Sequence, residues 1–126
     1  MRLLLDTVTL LWSLETPDRI SGPAMSALTN PKAVREISVI SFSEIAIKQA
    51  LGKFTFFKTD LVNGVADLQL RVLPYTTKHA YRLFGLPLHH ADPFDRQIIA
   101  QALAESVPVV TSDEAFRLYK GLKVIW

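Results

Sequence analysis

His90-Ala91-Asp92-Pro93-Phe94-Asp95-Arg96-Gln97-Ile98-Ile99-Ala100-Gln101-Ala102 reads as the head of a helix that carries two carboxylates. Proline suits the first helical position, where its missing N–H would lack a partner anyway, so Pro93 makes Asp92 the N-cap. Residues three apart share a helix face, so Asp92 and Asp95 point the same way. Phe94, Ile98, Ala102 and Leu103 recur at helical spacing and should face a core. Acidic helix starts also occur simply because they complement the macrodipole, so this stretch alone leaves a structural and a chemical reading open.

Working outward, the flanking segments alternate between short apolar runs and helical patterns. Leu3-Leu4-Leu5 suits a strand buried on both faces, followed by a helix from Thr7 to Leu14. Ser21 caps a second helix that ends at Asn30-Pro31. Glu36 to Ile40 is rich in β-branched residues and reads as a strand. Ser41-Phe42-Ser43-Glu44 then matches a capping box opening a helix to about Leu51, closed by Gly52. Asp60 to Leu70 is a further helix, and Arg71 to Tyr75 an edge strand with Pro74 near its end. Thr77 to Phe84 is helical. After the quoted helix come a strand at Val107–Thr111, a short helix at Glu114–Tyr119 and a last strand at Leu122–Trp126. Such alternation predicts an α/β fold with a mainly parallel sheet.

Composition narrows the class. The 126 residues, 49% hydrophobic and 21% charged, predict one globular domain spanning 1–126. Absence of cysteine excludes disulfides and thiolate metal sites. Asp6 interrupts the N-terminal apolar run too early for a signal peptide, and no run is long enough to span a bilayer, so a cytoplasmic protein with no membrane partner is expected. A net charge of +2 permits a nucleic-acid partner without arguing for one.

The acids fall in a pattern. Ligands of open parallel sheets bind beyond the carboxyl ends of the strands. Asp6 ends the first strand, Glu44 follows the second, Asp113 follows the fourth, and Asp92 with Asp95 opens the helix leading into it. Each has a local alternative: Asp6 as a turn residue, Glu44 in its capping box, Asp113 as an N-cap. Together they predict one acidic rim. Crowded carboxylates raise one another's pKa unless a cation compensates, and all-oxygen donors suit Mg²⁺ or Mn²⁺ rather than Zn²⁺. The matching chemistry is metal-assisted hydrolysis of a phosphodiester.

Four segments, taken together, resemble the PIN-domain ribonucleases, and most closely the VapC-like toxins of toxin–antitoxin pairs. They are Leu3–Thr7 with Leu10-Leu11-Trp12; Ser43–Lys48; His90–Arg96 with Ile99–Ala102; and Val110-Thr111-Ser112-Asp113. The resemblance implies a three-layer α/β/α domain with a five-stranded sheet, its first strand central, and a Mg²⁺- or Mn²⁺-dependent endoribonuclease. It maps the catalytic acids onto Asp6, Glu44, Asp95 and Asp113, with Asp92 as an extra acid of the subgroup. Direct metal ligation falls to Asp6 and Asp95. Lys48 and Arg96 are expected to contact RNA phosphate or to pair with the acids, and Thr7 and Thr111 to support the carboxylates. The implied partners are an RNA substrate, a small antitoxin, and a second copy of the chain or a hetero-oligomer with the antitoxin. Phe54, Phe56 and Phe57 form a candidate core plug or docking surface.

One position departs from the subgroup: Val8 stands where a small polar residue or His is usual, and cannot hydrogen-bond. This leaves a PIN-fold binding module with weakened turnover as the alternative. A receiver-like domain fits less well, since Asp6 lacks a paired acid and the fourth strand ends in Thr-Ser-Asp without a lysine. His79, His89 and His90 are expected to be solvated or capping, and Trp12 and Trp126 to pack.

Overall fold

The computed structural model describes residues 1–126. In chain order the elements are β1 (Arg2–Leu5), α1 (Thr7–Glu15), α2 (Gly22–Thr29), β2 (Val34–Ser38), α3 (Val39–Ala50), α4 (Lys58–Asp67), β3 (Arg71–Leu73), α5 (Thr77–Leu83), α6 (Pro93–Glu105), β4 (Val109–Val110) and β5 (Val124–Ile125). Short 3-10 turns lie at Pro17–Arg19 and Glu114–Leu118. All strand pairs are parallel, in the order β3-β2-β1-β4-β5. The first strand is central, and β3 is an edge as its proline suggests. No helix is long and apolar enough to cross a membrane.

The three leucines of β1 explain the layering. Side chains alternate across a strand. Leu3 and Leu5 enter one core with Leu10, Leu28, Ile45 and Leu70, on the side of α1, α2 and α4. Leu4 enters the other core with Ile98, Ile99, Phe116 and Tyr119, on the side of α6. Burial on both faces is why the run is continuously apolar rather than alternating. Trp12 and Trp126 pack together with ring centroids 5.8 Å apart.

Several element limits differ from the sequence reading. The second strand ends at Ser38, not Ile40, because the Ser38 hydroxyl accepts from the N–H of Ile40 and starts α3 there. Ser41 and Glu44 therefore lie inside the helix, and the expected capping box does not form. The helix expected from Asp60 begins at Lys58, since the Asp60 carboxylate accepts from the N–H of Phe57 at 2.8 Å. Phe56 is buried, whereas Phe57 is exposed.

Polar groups also tie down the sheet's other end. Glu36 is fully buried in β2 and takes a two-pronged grip from Arg2, at 2.6 and 3.3 Å. Arg2 also bonds Glu105 at 3.2 Å, and the buried His79 meets Glu105 at 2.8 Å while its Nδ1 accepts from the N–H of Thr76. His79 thus caps α5, but from within the protein rather than from solvent.

Candidate functional site

Strand order reverses at β1, and open parallel sheets bind ligands at such a point, beyond the carboxyl ends of the strands, here those of β1 and β4. Asp6 is there because β1 ends with it and α1 starts after it. As N-cap its Oδ1 accepts from the N–H of Thr9 at 2.8 Å. From β4's end, the Thr111 hydroxyl donates to Asp6 Oδ2 at 2.5 Å. Asp6 is 4% exposed, and burial pushes its pKa up against these hydrogen bonds. The Thr9 hydroxyl, which the sequence reading passed over, donates to the Val110 carbonyl and ties α1 to β4.

Glu44 reaches the same rim from the second turn of α3. Its Oε1 accepts from the Thr7 hydroxyl at 2.6 Å, and its Oε2 from Lys48 Nζ at 2.5 Å. Ser41 Oγ lies 2.9 Å from the Thr7 hydroxyl. Lys48 thus takes the pairing role. Its pKa is raised by the Glu44 hydrogen bond first, and then by Glu44, Asp92 and Asp95 as charges.

Asp92 is the N-cap of α6, with Oδ1 accepting from the N–H groups of Phe94 and Asp95, both at 2.9 Å. Asp113 caps the 3-10 turn by accepting from the N–H of Ala115 at 2.9 Å, and its own N–H donates to Thr111. Asp95 sits in the first turn of α6. Its pKa is pushed up to about 8, by burial first and then by repulsion from Asp92, Glu44, Asp6 and Asp113. All five predicted acids therefore act on one another at this rim, with Lys48 the one cation paired among them. No three His, Asp or Glu side chains converge as a closed metal cage.

Arg96 does not join the acids. Its guanidinium donates to the carbonyls of Pro87 and Leu86 and to the Tyr119 hydroxyl, fastening the loop before α6. His90, expected to be solvated or capping, instead lies between Tyr119, 2.8 Å from its Nδ1, and Asp95 Oδ2, 3.4 Å from its Nε2. The Tyr119 contact has no local signal, because folding brings that residue in from 29 positions away, whereas Asp95 lies only five residues on. Val8 is 41% exposed on the first turn of α1.

The family model described as PIN domain matches residues 3–122. Comparison with curated proteins gives no match. Among solved structures, the chain is similar to VapBC2 from Rickettsia felis bound to a DNA fragment from its promoter, with TM-score 0.72 and 16% identity, covering 98% of this chain and 97% of that one. It is similar to VapBC-5 from Mycobacterium tuberculosis, with TM-score 0.66 and 17% identity, over 98% and 97% of the two chains. DNA-bound VapBC from Salmonella typhimurium follows, with TM-score 0.64, 20% identity, and 98% and 96% covered. At these identities the likeness shows a common fold.

Proposed function

The chain belongs to the PIN domain family, and from that premise we propose that it is a divalent-metal-dependent endoribonuclease, the toxin of a toxin–antitoxin pair. The observation that carries the reading is Asp95, a carboxyl held near pKa 8 by burial and by four neighbouring acids. Such crowding is relieved by a cation. Mg²⁺ is commonly held through one or two carboxylates, several waters and substrate phosphate oxygens. Carboxylate donors without thiolate or clustered imidazole favour Mg²⁺ or Mn²⁺. Asp95 and Asp6 would hold the ion, with Asp92, Glu44 and Asp113 acting directly or through its waters. Oδ1 of Asp95, and Oδ2 of Asp92 and of Asp113, accept no hydrogen bond from the chain, which leaves them available.

When bound, the ion lowers the pKa of a water and offsets charge on the phosphate oxygens. The chain's own part is positioning. Thr111 and the N–H of Thr9 fix Asp6, while Thr7 and Lys48 fix Glu44. In hydrolysis a new bond forms from water oxygen to phosphorus, and the bond to the leaving ribose oxygen breaks. Lys48, whose side chain is 28% exposed, offers positive charge to the RNA backbone beside its pairing role. The antitoxin partner, assembly with it or as a homodimer, and a cytoplasmic setting follow from the same reading; the complexes among the similar structures support it.

Purified protein incubated with a mixed RNA pool and Mg²⁺, Mn²⁺ or EDTA, beside Asp95→Asn, tests this. Metal-dependent cleavage lost in the variant is expected. A folded, partner-free protein that cleaves nothing under any condition would refute the nuclease and favour a binding module.

A further inference from the structure

The loop before α6, the start of that helix and Tyr119 are joined by a chain of hydrogen bonds that ends on Asp95. Arg96 Nη1 donates to the Pro87 carbonyl at 2.8 Å and to the Tyr119 hydroxyl at 3.1 Å, and Nη2 donates to the Leu86 carbonyl at 3.1 Å. Tyr119 is 2% exposed, so its hydroxyl has little access to water. Guanidinium can only donate, so the phenol oxygen accepts from Arg96 and its own proton is left for His90 Nδ1, 2.8 Å away. With that donation the imidazole carries its N–H on Nε2, the atom facing Asp95 Oδ2 at 3.4 Å.

The ring is also held by packing. Its centroid lies 5.5 Å from that of Tyr119, edge-on, and 6.2 Å from that of Phe116. His89 packs edge-on against Tyr119 from another side, with centroids 4.8 Å apart. The imidazole therefore points its Nε2 at Asp95 because the Tyr119 hydroxyl and the rings of Tyr119 and Phe116 hold it there.

Asp95 needs such a hold. It lies among four other acids, Asp92, Glu44, Asp6 and Asp113, and its Oδ2 has His90 as its one side-chain partner. We propose that His90 is a positioning residue for the metal-dependent cleavage: its Nε2–H holds Oδ2 of Asp95 and leaves Oδ1 free for the cation, with Tyr119 and Arg96 fixing the imidazole in turn. This rests on the nuclease reading. It requires an N–H at one place, not a change of charge on the ring. Hydrogen bonds at catalytic groups commonly lengthen in the empty site and tighten in the complex, so 3.4 Å is an ordinary resting distance.

The test uses His90→Ala, His90→Gln and Tyr119→Phe, each assayed for RNA cleavage and, without RNA, for Mn²⁺ binding by calorimetry. Glutamine carries an N–H where the imidazole Nε2 lies, so it is the rescuing variant. Loss of a partner that orients a metal ligand costs ~10–100-fold in affinity or turnover. His90→Ala and Tyr119→Phe are expected to lose about 10-fold or more in kcat and in Mn²⁺ affinity, with KM for RNA changed less than ~2-fold and His90→Gln recovering most of the loss. Parent-like turnover and Mn²⁺ binding in His90→Ala would overturn the proposal, as would a His90→Gln variant no better than His90→Ala. If His90→Ala does not fold, Tyr119→Phe decides, since it keeps the packed ring and removes one hydroxyl. A parent protein that neither binds Mn²⁺ nor cuts RNA refutes the nuclease reading itself, and the role of His90 falls with it.

Discussion

Replacing Asp95 with asparagine should make the metal-free protein more stable, by an amount that depends on pH. The carboxyl moves from an ordinary 3.8 to about 8 on folding. An acid whose pKa is raised in the native state binds more protons folded than unfolded between those values. Its favourable contribution is complete below pH ~4 and is lost as pH rises towards 8. A change of about 4 units, at 1.36 kcal/mol each, sets a ceiling of ~6 kcal/mol. The side chain is 20% exposed, and water screening reduces this to roughly 2–3 kcal/mol. Asparagine has nearly the same shape and never ionises. In EDTA, Asp95→Asn should exceed the parent by about 1 kcal/mol near pH 4.5 and by ~2 kcal/mol or more at pH 8.5. That corresponds to about 8 °C in melting temperature for a domain of this size. Urea unfolding from pH 4.5 to 9 measures it directly. Saturating Mn²⁺ should reverse the order at pH 8, stabilising the parent and leaving the variant behind. Parallel pH profiles for the two proteins would show that Asp95 is not the focus of the acidic rim.

Other perturbations probe other parts of the molecule. Arg2→Ala strands the fully buried Glu36, with Arg71 3.7 Å away as partial relief, and should cost ~3 kcal/mol by urea unfolding; Arg2→Met with Glu36→Leu should recover most of it. Ser106 closes α6 in the left-handed region at φ 55°, so Ser106→Gly should add about 1 kcal/mol and raise the melting temperature by ~4 °C. Val8→His, on an exposed position at the rim, should raise cleavage and leave Mn²⁺ affinity unchanged; equal cleavage rates would remove that position from the mechanism. Phe57→Asp should leave the melting temperature within ~2 °C, as for most surface changes, and weaken self-association or antitoxin binding measured by light scattering. Phe56→Asp is not an equivalent probe, because Phe56 is buried and the change would disrupt the core.

What the sequence made legible was whatever local chemistry decides. Pro93 after Asp92, the unbroken leucines of β1 and Gly52 after α3, at φ 74°, each state their structure within a few residues. Ends set by competition between neighbours were harder. Ser38 and Ser41 both suit an N-cap, and Ser38 prevails because its residue still pairs in the sheet, opposite Leu73, while its hydroxyl reaches Ile40. The five acids gather at one rim because strand ends and the start of α6 place them there. Their individual attachments were hidden: Thr111 meets Asp6 across 105 positions, and Tyr119 meets His90 across 29. Glu36 was read only as part of a strand, since its burial depends on Arg2 crossing from β1.

The central position of β1 has a consequence for synthesis. One of its edges pairs with β2, about 30 residues on, but the other waits for β4, and Asp6 waits for Thr111, 105 residues later. At translation rates of about 5–20 residues per second, the leucine strand spends roughly 5–20 s with one edge unpaired. During that interval it is exposed to off-pathway strand pairing, and a chaperone or a co-translationally bound partner has time to engage it. The acidic rim is correspondingly incomplete in any nascent chain that stops short of β4, which lacks Thr111 and Asp113. A premature product would lack the Asp6–Thr111 contact and with it the completed site.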